Sequence, residues 1–250
     1  MRRILVTGGT SGIGLASALR FAGTHARIII NGRDVARGET ACAAVRTANP
    51  GADVSFISAD VTTHEGVHTL YERAVERLDG ALDVVVNSAG GALPPTLFHE
   101  NDLDMIDSVL KLWLGSTIYS CRLALPHLSD GGSIVNVASD AAKVPTPGEA
   151  VIGGAMAGIV MFSRTLAMEA KRRGIRVNVV TPSLVHGTMT YDTVMSTEFS
   201  TKLFGKAIKA AQLGLCEPDD VAALIEFLSS PTASKITGQV VSVNGGISAG

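Results

Sequence analysis

Cysteine is scarce in this chain and poorly placed for cross-linking. Cys42, Cys121 and Cys216 are odd in number and far apart, which argues against a disulfide framework or a zinc cluster and for buried free thiols in a reducing compartment. An excess of one charge is also missing: 21 basic against 23 acidic residues leave a net −2, with no block of like charge. Nucleic acid and anionic membrane surfaces therefore find no counterpart here. No uninterrupted apolar run reaches the roughly 18 residues of a membrane span. The opening MRRILVTGG enters a strand too short to be a signal-peptide core, so the expectation is a soluble, cytoplasmic protein.

What the chain does have is material for a large core, with 46% hydrophobic and only 18% charged residues. Short β-branched runs alternate with helical stretches almost end to end. RILVT, ARIII, VSFIS, LDVVVNS, GSIVNVAS, IRVNVVTP and GQVVSVNGG each precede a helix, except the last. Strands that are apolar throughout are buried on both faces, which predicts an α/β, doubly wound Rossmann fold with a parallel sheet flanked by helices. Helices are expected across 100–128 and 150–173 and within 190–212. Thr62 with Glu65 reads as a capping box, Pro218 as a helix start and Gly174 as a helix stop. With no linker or repeat, residues 1–250 read as one domain, carrying a lid at about 187–215.

VTGGTSGIG, residues 6–14, lies between the first strand and the first helix. Gly8, Gly12 and Gly14, with Thr10, Ser11 and Ile13 between them, would bring backbone N–H groups against a pyrophosphate at a helix N-terminus. The second strand ends in Asn31-Gly32-Arg33, where an NAD enzyme would carry a carboxylate for the ribose. An arginine there suits a 2′-phosphate and favours NADP(H) over NAD(H), although Asp34 is adjacent.

With these motifs in place the sequence resembles a short-chain dehydrogenase/reductase over nearly its whole length. TGGTSGIG is similar to the family's TGxxxGIG loop, ISADVT supplies Asp60 and Val61 at its adenine contact, and NSAG, with Asn87, Ala89 and Gly90, resembles its NNAG motif. Ser139 falls on its catalytic serine. RVNVVTPS, with Pro182, resembles RVNxxxPG, and ITGQVVSVNGG its last strand. The resemblance implies the sheet order 3-2-1-4-5-6-7. It also implies, most often, a tetramer with the fourth and fifth helices at its interfaces.

The same resemblance implies an Asn, Ser, Tyr and Lys catalytic set, with tyrosine as acid/base. Counting from Ser139 gives Ile152 and Met156 where the tyrosine and lysine belong, and LPHL alignment puts Trp113 at the asparagine. The three tyrosines, Tyr71, Tyr119 and Tyr191, lie elsewhere, and no lysine occurs between Lys143 and Lys171. Ser183 replaces a glycine, and the carboxamide-capping threonine aligns with Gly187, with Thr188 next to it. Three coordinated apolar replacements read as a repacked, drier pocket, since well-packed apolar side chains avoid the cost of an unpaired buried amine.

Several other residues carry two readings. His186 is the best-placed replacement acid or a solvated loop histidine. Tyr191 is an inward-reaching lid residue or lid packing, and Lys143 and Glu149 flank the site from the loop 140–149. The apolar lid residues Met189, Tyr191, Val194, Met195, Phe199, Leu203 and Phe204 fit an apolar, cyclic or polyketide-like substrate, or simple packing. His64 and His68 have the spacing of a metal pair but no third ligand, so a solvated helix face is expected and no metal.

These readings converge on an atypical oxidoreductase. It would bind NADP(H) and act on a small apolar carbonyl or activated alkene as a homotetramer or homodimer. The alternatives are a non-redox cyclase or isomerase, and a non-catalytic subunit that assembles with an active relative.

Overall fold

The computed structural model describes residues 1–249. Seven strands run in parallel: β1 (Arg2–Thr7), β2 (Ala26–Gly32), β3 (Asp53–Ser58), β4 (Leu82–Asn87), β5 (Leu128–Val137), β6 (Arg176–Pro182) and β7 (Val240–Val243). Their order is β3-β2-β1-β4-β5-β6-β7. Every residue of β6 is buried, and Ile4, Leu5 and Val6 of β1 are wholly inaccessible. Such strands need helices on both faces. On one face α1 (Gly12–Ala22), α2 (Val35–Ala48) and α9 (Pro218–Ser229) pack around Phe21, Val45 and Ile225. On the other, α3 (His64–Arg77), α5 (Ser116–Ala124) and α6 (Ala150–Ala170) pack around Leu70, Cys121 and Leu166.

The expected helix over 100–128 is interrupted. It consists of α4 (Leu103–Leu110), a π turn (Lys111–Gly115) and α5. The Ser116 hydroxyl donates to the Leu112 carbonyl at 2.6 Å, competing for the acceptor of a regular turn. The wider turn carries Trp113, which is buried beside Met156 and Ile159 of α6.

The lid is two helices, α7 (Met189–Val194) and α8 (Glu198–Ala210). Val194 and Phe204 bury themselves against Leu184, with Leu203 and Met195 around them, so packing accounts for these lid apolars. Met189 and Phe199 remain exposed. Helix α6 and the turn after it, Ala150–Arg173, form one helix long and apolar enough by length and composition to cross a membrane. It lies against β6 and α4, burying Ala155, Met156, Ile159 and Leu166.

The helix ends follow local chemistry with one shift. α3 is capped by Thr63, whose hydroxyl accepts from the Gly66 N–H, not by Thr62. Thr62 is already committed to the Asp60 carboxylate through both its N–H and its hydroxyl. Pro218 opens α9 beneath an Asp220 carboxylate that accepts from the Glu217 N–H, and Gly174 takes the left-handed conformation after α6. At the strand entrances, Arg3 forks onto Asp83 and reaches Ser129, joining β1, β4 and β5.

Candidate active site

The C-terminal ends of β1, β4, β5 and β6 surround a cavity of about 540 Å³, the position at which open α/β sheets bind ligands. Its floor is the glycine loop. A Cβ on Gly8 would stand 2.5 Å from the Ser88 carbonyl, and one on Gly14 would stand 2.3 Å from the Gly8 carbonyl. Only glycine lets the loop pack this closely against the end of β4. The N-cap of α1, Ser11, has extended backbone and supplies no side-chain cap, so the first-turn N–H groups lack a side-chain acceptor.

Of the residues expected to hold a dinucleotide, Gly8, Thr10, Ser11, Gly12, Ile13, Asn31, Arg33, Asp60, Val61, Ala89, Gly90, Pro182 and Thr188 line this cavity. Gly14 and Asn87 do not. Gly14 lies behind the loop. Asn87 is buried, its amide donating to Asn136 Oδ1 at 2.8 Å while its carbonyl accepts from the Ser120 hydroxyl. Cys121 takes the second amide hydrogen, and Tyr71 and Ser163 extend this chain at its two ends, so both Asn87 side-chain donors are engaged inside the fold. Asn31 is also engaged: its amide donates to the Ile57 and Ala59 carbonyls and ties β2 to β3. Thr188 caps α7 and donates its hydroxyl to the Val185 carbonyl, so that proton is not available to a carboxamide.

At the second-strand end the Asp34 carboxylate caps α2 by accepting the Arg37 N–H at 2.9 Å. The Arg33 side chain is exposed and makes no hydrogen bond or ion pair among the described residues. Arg37 also lines the cavity, with its guanidinium 3.2 Å from Ser11 Oγ. Sequence reading missed Arg37. The signal was present as a second arginine, one helical turn beyond Arg33.

The opposite end is apolar. Trp113, Ile152 and Met156 line it together with Ala138, Leu112 and Ser139. Ser139 accepts the Ala141 N–H at 3.2 Å and keeps its own proton for donation into the cavity. The Trp113 indole N–H has no acceptor among the described residues. Glu149 lies on this wall as well, and burial raises its carboxyl above the ordinary glutamate value, partly offset by the Thr146 hydroxyl.

The remaining candidates stand apart. His186 is exposed, does not line the cavity, and packs its ring edge-on against Tyr191 at 5.3 Å. Tyr191 does line the cavity. The Lys143 amine turns away, bonding the Ser242 hydroxyl and lying 3.8 Å from Asp140. Burial raises all three cysteine thiols, with Cys121 at about 12, which keeps them unreactive. Among the described residues no cluster of metal-binding side chains occurs, and His64 packs against Tyr119.

A doubly wound sheet with a glycine-floored cavity at the strand ends defines the class, and comparison with known proteins defines the family. The profile of the enoyl-(acyl carrier protein) reductase family matches residues 8–248. The chain belongs to the short-chain dehydrogenase/reductase superfamily of oxidoreductases. It is 32% identical to the 3-oxoacyl-[acyl-carrier-protein] reductase FabG of Chlamydia pneumoniae, over 98% of this chain and 96% of that protein. It is 32% identical to the 7alpha-hydroxysteroid dehydrogenase of Bacteroides fragilis, over 98% and 93%. Among solved structures, a short chain dehydrogenase from Burkholderia cenocepacia in complex with NADP superposes with a TM-score of 0.88 at 30% identity, covering 99% of this chain and 98% of that one.

Proposed function

We propose that this protein is an NADP(H)-dependent reductase of an apolar carbonyl or activated alkene that works without a tyrosine–lysine dyad. The observation that carries the reading is the two-ended cavity. The glycine loop and two arginines line one end, while Ser139 lies among Trp113, Ile152 and Met156 at the other.

The residues present fit a phosphorylated nicotinamide dinucleotide. The uncapped N-terminus of α1 and the tight Gly8–Gly14 packing suit a pyrophosphate. Arg33 and Arg37 suit the 2′-phosphate, and Asp34 is already spent on its helix cap. Asp60 and Val61 would flank the adenine, with Ala89, Gly90 and Pro182 along the path to the apolar end. The NADP bound to the Burkholderia relative supports this assignment. When bound, the dihydronicotinamide supplies a hydride.

The chain itself contributes orientation, exclusion of water and a donor. Ser139 directs its hydroxyl at the substrate oxygen, and the Trp113 N–H offers a second donor on the same wall. His186 would join them only through a lid movement that parts it from Tyr191. Residues 1–250 would act as one domain with the lid at about 187–215. Exposed Leu103 and Leu110 on α4, and Met161 and Met168 on α6, each pair one heptad apart, support assembly of copies through these two helices. The test is NADPH titration read by nicotinamide fluorescence and thermal shift. Saturable binding is expected, and no change in either signal overturns the proposal.

A further inference from the structure

Glu149 is the carboxyl group on the apolar part of the cavity wall. It is the N-cap residue of α6, so Glu149, Ile152 and Met156 lie on one face of that helix, at i, i+3 and i+7, and all three line the cavity with Ser139 and Trp113. Its backbone is held from several sides. The Gly153 N–H donates to its carbonyl at 2.6 Å, its own N–H donates to the Thr146 carbonyl at 3.0 Å, and the preceding Gly148 carbonyl accepts the Thr96 N–H at 2.9 Å. Gly148 also stands against Pro95 and Phe199, which fixes the loop between the 92–97 segment and the lid.

No charged partner faces this carboxyl. The 92–97 segment, ALPPTL, contains no titratable residue. On α8 the neighbours of Phe199 in its turn, Glu198 and Lys202, are both exposed to solvent. On its own loop Lys143 is committed to Ser242 and Asp140. Tyr191 is the titratable group that the lid contributes to the cavity, and Arg33, Arg37, Asp34 and Asp60 lie at the glycine-loop end. A carboxyl in this setting is held in its neutral, proton-donating form to higher pH than a solvated one.

We infer that Glu149 is the general acid of the reaction, resting on the reductase reading above. The carbonyl carbon gains a hydride from the dihydronicotinamide as a new C–H bond, and the C–O π pair moves to oxygen. That oxygen takes the Glu149 proton, and the carboxylate left behind is reprotonated from solvent. The alcohol and the oxidised nicotinamide are the products, so atoms and electrons balance.

The experiment combines a carboxyl titration of the cofactor-free protein with reduction of the bicyclic ketone 1-decalone by NADPH. The Glu149 carbon-13 carboxyl signal, assigned by its loss in E149Q, is expected to titrate above the ordinary glutamate range. E149Q should keep its melting temperature and NADPH affinity while losing roughly 10²–10⁴-fold in rate, as expected for a removed general acid. The wild-type fall in rate as pH rises through the Glu149 midpoint should vanish in E149Q. An ordinary or lowered midpoint, or an E149Q enzyme with wild-type rate and profile, overturns the Glu149 assignment alone. Absence of NADPH oxidation by the wild type overturns the reductase reading and this assignment with it.

Discussion

The indole nitrogen of Trp113 stands against the backbone of Gly90: a Cβ on Gly90 would lie only 2.9 Å from Nε1. The contact joins the π turn of one helix to the loop after β4, at the cavity wall. Because Trp113 is the sole tryptophan, its emission reports directly on this site. NADPH binding is expected to quench that emission and raise nicotinamide fluorescence by energy transfer, with both effects absent in W113F. Gly90→Ala should displace the indole and weaken NADPH binding, measured by the same titration.

The arginines should govern cofactor choice. Arg33→Ala and Arg37→Ala are each expected to weaken NADPH binding by about tenfold or more, the scale of a lost charge-assisted bond of roughly 1.5–3 kcal/mol. NADH binding should change little, because it lacks the phosphate. Equal losses for both cofactors in a calorimetric titration would place the arginines elsewhere in the binding mode.

Asn87 should matter to stability. It links Ser120 of α5 to Asn136 of β5, so Asn87→Leu takes one hydrogen bond from each of these buried partners and leaves Ser120 with Tyr71 and Asn136 with Cys121 and Ser163. A loss of about 1–3 kcal/mol is expected, at roughly 0.5–1.5 kcal/mol for each of the two lost hydrogen bonds. Urea denaturation measures it, and addition of NADPH should not restore it.

Acid stability should depend in part on Asp83. Burial alone would raise its carboxyl, but the Arg3 side chain and N–H, with Ser129, hold it at about 2. A depressed carboxylate stabilises the fold above its unfolded value near 4 and loses that contribution as pH falls toward 2. Asp83→Asn should therefore be destabilising at pH 7, by about 1–2 kcal/mol after allowing for partial exposure, with the difference closing below pH 3. Thermal melts across pH 2–7 would show it.

The fold was legible because parallel strands buried on both faces leave continuous apolar runs, and RILVT, VVVN and RVNVV could be placed little elsewhere. The glycine loop was legible because close backbone packing admits no other residue at Gly8 and Gly14. The π turn was hidden, since it depends on a Ser116 hydroxyl competing for one carbonyl and on how Trp113 packs. Asn31, Asn87 and Thr188 were placed near the cavity by motif, but a motif does not show that their side-chain donors are already engaged by carbonyls at the end of β3, by the Asn136 network and by the Val185 carbonyl. Arg37 went unread because its place on the cavity wall comes from the first turn of α2 lying near Ser11. The apolar wall itself was visible residue by residue, whereas its one carboxyl, Glu149, stood out only once the helix face was in place.

The most direct test of the central claim is isotopic. Apolar ketones and activated alkenes incubated with the protein and C4-deuterated NADPH should yield product carrying one deuterium, transferred from a single face of the nicotinamide and detected by mass spectrometry. Tight NADPH binding with product formed at no label, or with no product across the series, would contradict it.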